Sequence, residues 1–589
     1  MNTQRRPPVI VIGLDTGDPK TLRRHIAAGR LPALAKVLGR AREVATETEG
    51  DLFLSGAWPS FASGLSVGNH GIHSSMSLKS GTLEIAESGD YQAPAPFWEM
   101  AARAGVRTCV LDPPFYAPPP PSRGYGRLRF LNWGAHPDLR PPASLPSALA
   151  PETLARYGKH PCVNDDPLVS AVPELVRMGR GLCAGARTRG KIILDLFLSE
   201  PTELLVVMFP ELHVAGHQFL HLETPGHRCH QPALKAAFGG SPLNAVYDAV
   251  DASVGALLAQ LPADATVILA GLSNVRVTFG GGARLMEELL LRLGLAVPAT
   301  GAKGRVSQAW VRLPPAVKVA LKRCLPAKLA TRAKHDRFRA SFDWPATRAV
   351  ALPWACDGFV RVNLRGREPD GIVEPGAEQD ALLTGLETVL RELRIAGTNE
   401  PAVRRVVRAP AKFPGQAAAD LPDLVVLWNN ERPLAAVESP AVGRIEITDR
   451  GQRSVHGSEG GLFAYGPGIK PGPPITGARG IDIAPTVLAL LGIAAPETID
   501  GHVIGDLLAA KQVTNTPALV ARWSEIPRLK SRAKQTPGST RKHADTEAFL
   551  PFHPLGESPA HGKFWNVQVQ PGLSPQPPKA VFWHAGRND

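Results

Sequence analysis

The strongest constraint on the fold is a set of short apolar runs that each stop at polar residues. Val9-Ile10-Val11-Ile12-Gly13-Leu14 ends at Asp15-Thr16-Gly17-Asp18. Val106 to Asp112, Glu203 to Pro210 and Ala265 to Ala270 repeat the pattern. Runs without polar alternation read as strands buried on both faces, the kind found inside parallel sheets. Between them lie stretches of helical period, at residues 19–29, 168–198 and 245–261. This alternation predicts an α/β fold: a doubly wound, mostly parallel sheet flanked by helices. Ligands of such sheets bind beyond the carboxyl ends of the strands. Asp15 sits at one of these ends, where its carboxylate can meet a metal or a cationic ligand. It also suits a turn or N-cap before the helix that starts near Pro19.

The chain has 589 residues, enough for one large α/β domain with insertions. Its division is expected to be a core over residues 1–280, a basic helical insertion (a cap segment) at 281–345, the second part of the core at 346–510, and an irregular C-terminal arm at 511–589. The formal net charge of +13 favours anionic partners. The chain carries no specific nucleic-acid motif. Between residues 302 and 342, Lys and Arg alternate with apolar residues. Such a stretch suits a membrane surface or polyanion, or a solvated helical face. No apolar run reaches the roughly 20 residues that span a bilayer, and the first eight residues lack a signal-peptide core. Six scattered cysteines without a CxxC pair read as reduced. A cytoplasmic location is the expectation, and the oligomeric state is left open.

Chemistry-bearing residues recur just after the strands. Residues 55–73 form a loop, a short helix and a second Gly-rich loop dense in hydroxyls, with Ser55, Ser60 and His70. A hydroxyl at a helix N-terminus meets the positive end of the dipole, a suitable place for a nucleophile or an oxyanion. Glu211, His213 and His217 follow the third strand, and His456 lies in a late Gly-rich segment. His213 and His217 are four residues apart, so one helical turn would present both to one ion. They equally suit a surface pair. Carboxylate, imidazole and hydroxyl together form a ligand set for zinc or a similar divalent metal. Asn274, Arg365 and His136 are candidates for binding substrate.

In the order Ile12-Gly13-Leu14-Asp15, Ala57-Trp58-Pro59-Ser60-Phe61, Asn69-His70-Gly71-Ile72, Glu211 to His217, Leu421-Pro422-Asp423-Leu424 and His456 before Gly461-Leu462-Phe463, these motifs resemble the alkaline phosphatase superfamily. The nearer likeness is to the type I phosphodiesterase/nucleotide pyrophosphatase group and its bacterial phosphohydrolase and phosphomutase relatives. It runs from about Val9 to Leu508.

The resemblance implies a metal-dependent hydrolase of phosphate esters. It places one metal on His213, His217 and His456, with Glu211 as a stand-in for a missing Asp. A second metal would sit on Asp15 and the nucleophile. Ser55 is the expected nucleophile and Ser60 the weaker candidate. Zinc is the expected ion, manganese the alternative, one or two per chain. The implied partner is an anionic phosphate-containing small molecule or a lipid or glycan precursor. Relatives end the strand at 265–270 with Ser-Asp-His-Gly or Ser-Leu-His-Gly. Here the chain reads Gly271-Leu272-Ser273-Asn274-Val275, without Asp or His. Two alternatives therefore stand beside hydrolysis: a non-catalytic binding or scaffold member, and a phosphomutase or head-group transferase.

Overall fold

The architecture was read from a computed structural model, which describes residues 6–53, 55–87, 94–116, 127–134, 141–162, 171–279, 283–300, 336, 338–352, 358–429, 431–432, 434–447 and 454–509. His136, Cys324, Cys356, most of the basic stretch at 302–342 and the arm at 511–589 lie outside the described residues. One compact unit spans Met1–Glu525, and the remainder, Ile526–Asp589, falls wholly within that undescribed arm.

Val9–Leu14 is the inner strand of a nine-stranded sheet. It pairs in parallel with Leu204–Phe209 on one side and Thr266–Gly271 on the other. Beyond Leu204–Phe209 lie Thr108–Leu111 and then Arg127–Leu131, both parallel, with Ala143–Leu145 antiparallel at the rim. Beyond Thr266–Gly271 the antiparallel strand Glu459–Tyr465 leads to Arg42–Glu47 and Ile475–Arg479. The mostly parallel α/β sheet expected from the apolar runs is thus observed. Ile10 and Ile12 enter one core cluster while Val9 and Val11 enter another. Both faces of the strand are dry, which is why its sequence shows no polar alternation. Each such fully buried aliphatic side chain contributes about 1.5–3 kcal/mol through removal of apolar surface from water.

Helix positions follow local signals. Asp18 caps Pro19–Ala27 by accepting from Thr21 N at 2.9 Å, with Pro at the first helical position. Ser241 caps Pro242–Leu258 in the same way. Glu211–Glu223 begins directly after the strand Leu204–Phe209 and carries both histidines. A four-stranded antiparallel sheet (Ala349–Ala351, Gly358–Val362, Leu424–Trp428, Val403–Arg408) has its own apolar core. Ala283–Arg292 and Ala377–Glu392 supply its helices. Among the described residues no helix is long and apolar enough to cross a membrane, and Cys109, Cys162, Cys183 and Cys229 are free thiols.

Candidate metal centre

Asp15 leaves the end of its strand with 1% of its surface exposed. Trp58 Nε1 donates to its Oδ1 at 2.9 Å, and its Oδ2 lies 3.3 Å from His213 Nδ1. Close backbone approach makes this possible. A Cβ on Gly271 would lie 2.0 Å from the Gly17 carbonyl oxygen, so only glycine lets the neighbouring strand end pass the Asp15 turn.

His213 and His217 stand one turn apart on Glu211–Glu223, as their spacing predicts. His456 reaches them from a short strand, Ser454–His456, paired antiparallel with Val275–Val277. Gly216 faces Val275 on that ribbon, where an added Cβ would lie 3.1 Å from Cγ2. The absence of a side chain at 216 lets the helix and ribbon close on each other. The ligand atoms of His213, His217 and His456 all lie within 4.8 Å of one another. Centroids of the three rings are 4.6–5.0 Å apart.

An oxygen stands beside Nδ1 of each ring. Asp15 meets that of His213, the Ser454 hydroxyl lies 2.7 Å from that of His217, and the Ser273 hydroxyl lies 3.3 Å from that of His456. The Nε2 atoms of His217 and His456 face each other at 2.9 Å. Oxygen partners on Nδ1 orient an imidazole so that Nε2 can bind a metal. Burial, then the neighbouring rings of His213, His456 and His221, hold His217 well below the usual imidazole pKa. It is therefore neutral at pH 7, the form that binds a metal. Three converging imidazoles beside a carboxylate fit a divalent ion such as zinc.

The remaining sequence candidates divide. Glu211 does not join the cluster, which corrects its reading as a ligand. It lies two residues from His213, on another side of the helix. There Oε1 accepts from Arg189 Nε at 2.8 Å and lies 3.2 Å from His160 Nε2. Burial pushes this carboxyl up, but Arg189 and His160 outweigh it and leave its pKa below the ordinary value. Arg189 also binds Asp112 and donates to the Gly134 carbonyl at 3.1 Å. The network is a buried ion cluster that anchors the start of the histidine helix.

Ser55 is buried in the turn directly before the helix Ala57–Ser63, three residues from the Trp58 that holds Asp15. Ser60 is fully buried. Ile72 N donates to His70 Nδ1 at 3.0 Å, so the neutral ring carries its proton on Nε2 and donates it to Ser60 Oγ at 3.0 Å. His70 is thus a donor to Ser60 and not its base, and burial holds its pKa down to about 3. Arg365 is exposed and paired with Glu374, away from this cluster. Asn274 lies beside it, its backbone carbonyl accepting from Gly457 N at 3.0 Å. Asp112 and Asp18, the other carboxylates near the strand ends, are taken by Arg189 and by the helix cap.

Sequence reasoning missed Ser454, Arg189 and His160. Nothing in a serine two residues before a histidine marks it as a partner of another ring. Arg189 left a faint signal, a charge on the apolar side of a long helix.

Residues 9–271 match the family model described as type I phosphodiesterase / nucleotide pyrophosphatase. Over this segment the chain is similar to that family. The phosphodiesterase match covers Asp15, Ser55, His213 and His217 and stops at Gly271, just before the departure at Leu272-Ser273-Asn274. The family is one of phosphoric ester hydrolases, so the resemblance read from the motifs is borne out. Among solved structures the chain is similar to murine ectonucleotide pyrophosphatase / phosphodiesterase 5, at 12% identity, covering 85% of this chain and 100% of that one, with a TM-score of 0.43. It is also similar to phosphonoacetate hydrolase from Sinorhizobium meliloti, at 15% identity, covering 82% and 94%, with a TM-score of 0.43. No curated protein matches the sequence.

Proposed function

We propose that this chain is a phosphoric ester hydrolase with a single metal held by His213, His217 and His456, and Ser55 as nucleophile. The observation that carries the reading is the convergence of three imidazoles within 4.8 Å, each with an oxygen within 3.3 Å of Nδ1. A bound divalent ion, zinc by its preference for imidazole, supplies positive charge to the phosphoryl oxygens and lowers the pKa of a hydroxyl beside it. A second ion has a poor donor set. Asp15 is engaged by Trp58 and His213, and Ser273 stands against His456, where relatives carry an Asp-His pair.

The chain's own groups have distinct tasks. Asp15 holds the His213 ring and, with Trp58, fixes the end of the first strand against the Ser55 helix. Ser55, at that helix N-terminus, attacks phosphorus in line with the leaving alkoxide and becomes the phosphoester. Water then displaces the serine and restores its hydroxyl. Substrates are anionic phosphate esters, in keeping with the basic chain.

Elemental analysis of the purified full chain, with aryl phosphate mono- and diester turnover, tests the reading. About one zinc per chain, lost in both His217→Ala and His456→Ala, is expected. Ser55→Ala should keep the zinc and lose turnover. Zinc content unaffected by either histidine change, or full turnover in Ser55→Ala, refutes it.

A further inference from the structure

The 28-residue helix Val172–Ser199 treats its charges differently on its two sides. On the inner side Arg189 is buried and paired with Asp112 and Glu211, among Leu175, Leu182, Ile192 and Leu196. On the outer side Arg177, Arg180, Arg187 and Lys191 are all exposed. At about 100° per residue these four fall within an arc of about 80°, a straight stripe about 21 Å long. Ala184, exposed on the same stripe, brings no opposite charge. Leu198 stands on that line two turns beyond Lys191, with 61% of its surface exposed. Among the described residues it is the most exposed large hydrophobic side chain.

The acidic groups around the stripe are mostly committed. Arg177 faces Glu174 at 3.9 Å, while Arg180, Arg187 and Lys191 form no ion pair among the described residues. Asp195 is paired with Arg156, and Asp248, on the packed helix Pro242–Leu258, with Arg30. Asp251 accepts from the backbone of Ala33 and Leu34, and Glu223 from Ser241 and Leu243. Glu152, on the helix Leu149–Tyr157, is exposed, and so is Lys235 on Pro232–Phe238. The stretches at 302–342 and 511–589 are themselves richer in Lys and Arg than in Asp and Glu, so neither is a counter-charge. Arg177 with Arg180, and Arg187 with Lys191, stand at helical spacings where like charges repel. An anionic surface outside the chain relieves that repulsion.

We propose that the outer face of Val172–Ser199 docks this chain on an anionic phospholipid surface. The four basic side chains meet headgroup phosphates, and Leu198 enters the boundary with the acyl chains. A line of cations that ends in an exposed leucine matches phosphates lying over an apolar layer. A nucleic-acid backbone offers the phosphates and nothing for Leu198.

Flotation of the full chain with phosphatidylcholine vesicles containing phosphatidylserine, beside vesicles of phosphatidylcholine alone, tests the inference. Binding is expected only with the anionic lipid and should fall as salt rises. Arg180→Gln with Arg187→Gln should weaken it about 25-fold, fivefold for each cation lost. Leu198→Ser should weaken it by a factor that salt does not change. Lys20→Gln with Arg24→Gln removes the same charge from another exposed helix and should leave binding unchanged. The inference is overturned by no binding to the anionic vesicles, equal binding to phosphatidylcholine alone, or equal losses in the two double variants. Unchanged affinity in Leu198→Ser, or tighter binding to a duplex oligonucleotide than to the vesicles, overturns it as well.

Discussion

Replacing Ser454 by Ala tests whether the histidine cluster is a built metal centre. The Ser454 hydroxyl lies 2.7 Å from His217 Nδ1 and touches no other histidine of the cluster by hydrogen bond. Its loss frees the ring to rotate but keeps all three imidazoles. Outer partners of this kind are worth about 10- to 100-fold in metal affinity. With free zinc at about 100 times the wild-type Kd, binding stabilises the fold by about 2.7 kcal/mol. A variant about 30-fold weaker retains about 0.9 kcal/mol at the same zinc concentration. Competition against a chelator gives the affinity directly, and urea unfolding with and without zinc gives the linked stability. Ser454→Thr, which keeps the hydroxyl, should restore most of the affinity. Unchanged zinc affinity in Ser454→Ala would show that His217 needs no brace, and the reasoning would fail.

Further changes probe other parts of the centre. The double change Ser273→Asp with Asn274→His should raise zinc content from about one to about two per chain, and an unaltered stoichiometry would mean that the loop cannot present those ligands. Arg189→Met leaves the Asp112 and Glu211 carboxylates buried without their cation, so it should cost about 3–5 kcal/mol in urea unfolding; a cost below 1 kcal/mol contradicts the ion-cluster account. Burial, partly offset by the Gly71 carbonyl, holds His73 down to about 4. Its folded pKa lies below the unfolded value of about 6.5, so its stability is fully present above pH 6.5 and drains as pH falls toward 4. In His73→Phe the stability difference between pH 7 and pH 4.5 should shrink by about 2.5 kcal/mol, and an identical pH dependence would remove His73 as a cause.

Much of the architecture was legible from patterning alone. Apolar runs without alternation marked the strands that are dry on both faces, because a parallel strand inside a doubly wound sheet has no wet side. The i,i+4 histidines were legible as a pair because helical pitch is a local property. Asp15 at a strand end followed from the rule that open α/β sheets bind ligands at their carboxyl edge.

What the tertiary structure alone decided are the partners across long separations. Glu211 stands two residues from His213 and had the right chemistry for a ligand. Only the packing of the helix Val172–Ser199, which brings Arg189 to it, shows that its charge is already paired. Ser454 braces His217 over 237 residues of chain, and Ser273 braces His456 over 183. Helical and strand periods are written into neighbouring residues, so sequence determines them. A side chain's hydrogen-bond partners depend on which distant segments the fold brings within about 3 Å, and no local pattern encodes that.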